Sequence, residues 1–199
     1  MADRSEIYSH DVEPPLRDLV HADLLRYCEP GRPYQETQWS WRKVLVALVN
    51  DQGASAVLEY RLRHWARHLP QPLRTPTAIA CFVSRKLVEV LTGISIAGAA
   101  RFGPGLFIGH FGGIVVGPGV TVGDNCNLSH GVTLGDHRGF PEVGHCVYFA
   151  PGACVFGPIT IGDNVAVGAN AVVNQDIPAG STAVAGRAEV LLGRPNLQP

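Results

Sequence analysis

Apolar residues in the second half of the chain recur every six positions. Val143, Phe149, Val155, Ile161, Val167 and Val173 carry the beat, and Val147, Ala153, Ile159, Val165 and Ala171 keep the same spacing between them. A helix repeats every 3.6 residues and a strand every two, so neither alone produces this period. A short fixed repeat means stacked units, each too small to bury its own apolar face, whose core is one continuous column. The pattern predicts a β-solenoid.

The beat starts earlier, at Ile96, Phe102 and Ile108. After a step of eight to Val116 it resumes at Val122, Leu128 and Leu134, with Val120, Cys126 and Val132 as the smaller intervening set. A step of nine then separates Leu134 from Val143, so three extra residues must leave the wall. They fall in Gly135-Asp136-His137-Arg138-Gly139-Phe140-Pro141-Glu142, whose glycines and proline read as an excursion.

Before the solenoid the period changes. Trp41 to Val49 and Ala54 to Arg67 place apolar residues three and four apart, as amphipathic helices do, and Thr77 to Leu91 offers a third helix before Gly93. These helices are expected to cap the open end of the solenoid, whose unpaired strand edges otherwise invite aggregation. Residues 1–40, rich in proline and charge, read as a loosely packed arm. Arg61, Arg63, Arg67 and Arg74, with His64 and His68 interleaved, form a basic face that reads as a solvated helix surface, with an anionic-ligand patch as the alternative. Trp65, at helical spacing from Leu58 and Leu62, is expected in the core.

At 199 residues with a formal net charge of −1, the chain can bury a sizeable core and gives no electrostatic reason to expect nucleic acid or an acidic membrane as partner. No apolar run approaches about 18 residues, and Met1-Ala-Asp-Arg-Ser-Glu lacks the order of a signal peptide, so a cytoplasmic location without a membrane span is expected. Five scattered cysteines make no disulfide framework. Cys126 and Cys154 are placed in the small inward set as buried thiols.

Chemistry concentrates where the beat is disturbed. His110 lies inside the step of eight, in Phe107-Ile-Gly-His-Phe-Gly-Gly-Ile-Val-Val-Gly117, and the two-residue offset re-aims the corner that carries it. His110 follows Ile108 by two positions as His130 follows Leu128, so the two imidazoles should share a corner one coil apart. The same count leads to Pro151 and then Ala169. A neutral imidazole is suited to take the proton of an alcohol, a poor nucleophile near neutral pH, and such assistance contributes about 10²–10⁴-fold.

The repeat resembles the hexapeptide-repeat acyltransferases, and the segment around His110 resembles the serine O-acetyltransferase branch, in which a His precedes a near-identical Gly-Ile-Val-Val-Gly. The resemblance implies a left-handed parallel β-helix of roughly five coils over about 94–178. With it go an arm and α-helical cap over 1–92, an acetyltransferase domain over 93–185 and a tail over 186–199. It also implies acetyl-CoA as co-substrate, His110 as the base with His130 beside it, and direct transfer without a metal. Backbone N–H groups at Gly112-Gly113 would stabilise the oxyanion. Gly135, Pro151, Gly168, Ala169, Arg187 and Arg194 are the expected contacts to coenzyme A, bound between neighbouring subunits of a homotrimer, with a dimer of trimers as the larger alternative.

Departures from the serine-enzyme pattern bear on the acceptor. Ser95 and Gly109 stand where those enzymes carry aspartates, one supporting the His and one near the substrate amine, and neither replacement can pair with an ammonium group. Phe140 stands where they have a substrate-binding His, leaving His137 and Arg138 to contact the acceptor from shifted positions. The expected acceptor is therefore a hydroxyl of a sugar, polysaccharide precursor or specialised metabolite, with L-serine as the alternative. Ending in Gly193-Arg-Pro-Asn-Leu-Gln-Pro199, the chain is expected to form no cysteine-synthase complex. A metal hydratase of the γ-carbonic-anhydrase type and a non-catalytic trimeric scaffold complete the alternatives; His110, His130, His137 and His145 lack the ligand spacing of the former.

Overall fold

The computed structural model describes residues 14–186. Arg187, Arg194 and the last seven residues, on which the nucleotide-contact and complex expectations rest, lie outside the described residues.

Four helices precede the solenoid: α1 (Leu16–Cys28), α2 (Trp41–Asn50), α3 (Gln52–Ala66) and α4 (Arg74–Thr92). Helix α1 corrects the expectation of a loosely packed arm. Pro14 and Pro15 precede its first turn, where a missing N–H costs nothing, and Leu19, Leu24, Leu25, Tyr27 and Cys28 are buried. Two buried charges, Asp23 and Arg26, interrupt its apolar pattern. Helix α3 turns Val57, Tyr60, Arg61 and His64 inward. Trp65 follows His64 by one residue, about 100° around the helix, so it is 45% exposed rather than in the core.

Helix α4 ends at Gly93, whose φ of 66° is the left-handed cap that turns the chain into the solenoid. Three parallel sheets form its walls. The first stacks β1 (Ile94–Ile96), β4 (Ile114–Val116), β7 (Thr133–Gly135), β10 (Cys154–Phe156) and β13 (Val172–Val173). The second stacks β2 (Arg101–Phe102), β5 (Thr121–Val122), β8 (Glu142–Val143) and β11 (Thr160–Ile161). The third stacks β3 (Phe107–Ile108), β6 (Asn127–Leu128), β9 (Tyr148–Phe149), β12 (Ala166–Val167) and β14 (Thr182–Ala183). This is the expected left-handed β-helix, with four complete turns and a fifth closed by β13, a single bridge from Ile161 to Ile177, and β14.

The register stacks each beat residue on its counterpart: Ile96 on Val116, Leu134, Val155 and Val173, and Ile108 on Leu128, Phe149, Val167 and Ala183. All but Ala183 are buried in one continuous core, and each large aliphatic contributes about 1.5–3 kcal/mol. Cys126 belongs to the inward set, and burial pushes its thiol up to about 12. Cys154 does not: Ala153 and Val155 face inward, so the pleat turns Cys154 outward, half-buried.

Helices α1 and α3 seal the first turn. A Cβ at Gly53 would strike the Ile108 carbonyl, so α3 reaches the strand edge only because residue 53 lacks one. The Asp23 carboxylate accepts the N–H groups of Gly105 and Leu106 at 2.9 and 2.8 Å and pairs with Arg61 at 2.7 Å. Arg61, 1% exposed, donates onward to the carbonyls of Phe102 and Gly103. The basic helix face is thus not a solvated surface at its centre: Arg61 is a buried strut between α1, α3 and the first turn. Removing one partner of such a pair costs about 3–5 kcal/mol.

Candidate active site

The solenoid has a corner between its third and first sheets, and the chain crosses it from Leu128 to Val132 through three residues. From Ile108 to Ile114 it uses five, Gly109 to Gly113. Backbone bonds locate the surplus. Gly131 N donates to Gly112 O, Gly152 N to His130 O and Asn170 N to Pro151 O, so Gly112, His130, Pro151 and Ala169 form the in-register column. The residues beside them, Gly113, Gly131, Gly152 and Asn170, all have φ between 55° and 73°. A Cβ on Gly131 would come within 3.3 Å of Gly152 N, so this stacked corner favours glycine twice over. His110 and Phe111 bulge outward from it.

The bulge brings the two histidines together as the spacing predicts. The His110 and His130 rings lie edge to face with centroids 5.8 Å apart, and both side chains are exposed. Gly112 N–H is committed to Thr92 O at 2.8 Å, which corrects its expected place as an oxyanion donor. Among the described residues the Gly113 N–H donates to no carbonyl.

Ser95 lies outward on β1, and its hydroxyl donates to Glu89 at 2.7 Å. The sequence offers no carboxylate at position 95, yet α4 supplies one. Burial pushes the Glu89 carboxyl up, but bonds from Ser95, Arg85 and Lys86 outweigh it and lower the group to about 2. Gly109 faces a different neighbour: a Cβ there would meet the Phe107 ring at 3.2 Å, so an aromatic edge borders the side-chain space at this position. That ring lies 4.8 Å from Tyr27, whose hydroxyl donates to Ile108 O and accepts from Ile108 N. The strand that delivers His110 is therefore fixed from α1. Sequence reasoning missed Tyr27, Asp23 and Glu89; the three- and four-residue spacing after Pro15 was the signal available for α1.

Other expected site residues lie elsewhere in the chain. Gly168 precedes Ala169 on the His130 column, whereas Gly135 sits at the far end of β7, where the excursion leaves the first sheet. In the excursion, Asp136 accepts the Gly139 N–H at 2.8 Å, and the Phe140 ring covers Gly117 and Gly119. His137 lies edge-on to Phe156 with centroids 6.2 Å apart, and Arg138 is exposed with φ 61°. Within one chain these two occupy the corner between the first and second sheets, not the His110 corner. His145 is at the third corner, where its Nδ1 accepts the Asp124 N–H. Among the described residues no three His, Cys, Asp or Glu side chains group to hold a metal ion.

The stacked parallel turns and the His-bearing bulge define a hexapeptide-repeat acyltransferase. No protein-family profile matches the chain. It is 41% identical to the serine acetyltransferase of Helicobacter pylori over 144 residues, covering 70% of this chain and 81% of that protein. With the Synechococcus elongatus serine acetyltransferase it shares 36% over 148 residues, 72% of this chain and 58% of the relative. Among solved structures, Neisseria gonorrhoeae serine acetyltransferase in complex with serine superimposes with a TM-score of 0.68 at 28% identity, over 88% of this chain and 68% of that one. Soybean serine acetyltransferase apoenzyme does so with 0.66 at 28% identity, over 90% and 70%. The chain belongs to the serine acetyltransferase family and is an acetyl-CoA-dependent O-acetyltransferase.

Proposed function

We propose that the chain acetylates the hydroxyl of L-serine, with His110 as the base. The observation that carries this reading is the 144-residue similarity to a serine acetyltransferase, longer than the solenoid and so extending into the cap. The sequence-based preference for a sugar or specialised metabolite gives way to its alternative. Glu89 adds support, because it brings a carboxylate to Ser95 where the sequence alone offers a neutral hydroxyl.

In this reaction His110 accepts the serine hydroxyl proton while the oxygen attacks the thioester carbonyl of acetyl-CoA. The new C–O bond forms, the C–S bond breaks, and the leaving coenzyme A thiolate takes the proton back from His110, which regenerates the base. Gly113 N–H faces the developing oxyanion, a role worth about 2.7–4 kcal/mol in other enzymes. Coenzyme A is assigned to the His130–Pro151–Ala169 column, with Gly168 beside it. His137 and Arg138 reach the acceptor only from a neighbouring subunit, since each chain holds them at a different corner from His110.

That separation supports a homotrimer. Helix α4 supports further pairing of trimers: Ile79, Phe82, Val83, Leu87, Val90 and Leu91, spaced three and four apart, are each more than half exposed. A contiguous apolar stripe of this size marks an interaction face. Among the described residues no helix is long and apolar enough to cross a membrane, and the proposed compartment is the cytoplasm.

One assay tests the acceptor. Thiol release at saturating acetyl-CoA, measured with L-serine and with uncharged sugars and hydroxylated metabolites, should give serine the highest kcat/KM. The second reading, a neutral hydroxyl acceptor, draws on the Phe107 edge beside Gly109. It replaces the first if any non-amino alcohol outperforms serine.

A further inference from the structure

The corner between the first and second sheets holds a cleft of about 430 Å³, walled by the last turn of α3 and floored by the first two turns of the solenoid. Arg67, His68, Arg101 and Thr121 line it, with Pro118 and Val120 as its apolar side. Cations elsewhere on α3 are already matched. Arg61 pairs with Asp23, and Arg63 binds Glu59 at 2.9 Å and the Ile96 carbonyl at 2.7 Å. The guanidinium groups of Arg67 and Arg101 form no ion pair or hydrogen bond among the described residues; their backbone N–H groups donate to the carbonyls of His64 and Val120. Glu142, in register with Arg101 two strands along, is about 10 Å away by strand spacing and bridges to neither. The Thr121 hydroxyl also lacks a partner among the described residues.

Two unpaired guanidiniums facing one cleft repel each other, and a dianion with several acceptor oxygens relieves that repulsion while taking forked bonds from both. The volume exceeds what a bare oxyanion fills and falls in the range of small-ligand sites. We propose that this cleft binds the phosphate group of a small organic phosphate, at a corner of the chain separate from the one that carries His110. A free phosphate ester and a phosphate of coenzyme A present the same chemistry.

Calorimetric titration of inorganic phosphate and of glycerol 3-phosphate into the full chain at constant ionic strength tests this. Saturable binding is expected, stronger for the ester, and weakened at least tenfold in the Arg67→Ala/Arg101→Ala double variant. Neither guanidinium bonds to another described residue and Ala keeps both backbone bonds, so the variant should melt with the wild type, and Arg67→Lys/Arg101→Lys should restore part of the affinity. An unchanged acetyl-CoA KM in the double variant assigns the site to a free ester, whereas a raised one assigns it to coenzyme A. Absence of saturable binding, or undiminished binding by the double variant, overturns the proposal whatever the acceptor proves to be.

Discussion

Tyr27→Phe removes one oxygen atom and should weaken both the fold and the catalytic corner. The hydroxyl donates to Ile108 O at 3.2 Å and accepts from Ile108 N at 3.1 Å, on a strand at the edge of its sheet with no further strand to satisfy it. Phenylalanine keeps the ring contact with Phe107, so packing changes little. A buried polar group left without a partner costs about 1–3 kcal/mol. For the two groups of Ile108, whose bonds are rather long, about 2–4 kcal/mol is expected, or a fall in Tm of roughly 5–15 °C. Burial drives the Tyr27 phenol far above its ordinary pKa, so it stays neutral and the loss should not vary with pH in the assay range. Because His110 follows Ile108 by two residues, kcat should fall severalfold with the acetyl-CoA KM unchanged. Thermal unfolding and steady-state thiol release measure the two effects. A Tm within about 1 °C of wild type together with normal kcat would refute the clamp.

His110→Ala should lower kcat by about 10²-fold or more while coenzyme A affinity persists; near-normal turnover removes it from the base role. Glu89 gives a pH signature. Its folded-state pKa is depressed, so its stabilising contribution is present above the ordinary carboxylate range and is lost as pH falls toward about 2. Glu89→Gln should flatten the acid limb of a stability–pH curve over that window, and an unchanged limb contradicts the ion-pair account. Sedimentation equilibrium should find at least a trimer, and a fully active monomer sinks the shared site.

The solenoid was legible because its core is periodic: every beat residue from Ile96 to Val173 is buried as the spacing requires. His110 and His130 were legible for the same reason, since counting hexads aligns corners. The cap was less so. Arg61 reads as a surface cation until Asp23, 38 positions earlier, is placed against it, and no local pattern carries a pairing across that distance. Trp65 shows the limit of helical periodicity, for two adjacent apolar stripes on α3 compete and only the partner surface decides which is buried. Glu89 was invisible because its role depends on how α4 meets β1.

Both irregular corners leave the core untouched. Val116 lies over Ile96 although 20 residues separate them, and Val155 over Leu134 although 21 do, where an uninterrupted turn takes 18. Chain length can therefore be added at a vertex without repacking a single interior side chain. In such a molecule, the length of a vertex and the stability of the stack can change independently, so residues 109–113 and 136–141 are where loops can be grafted onto an intact scaffold.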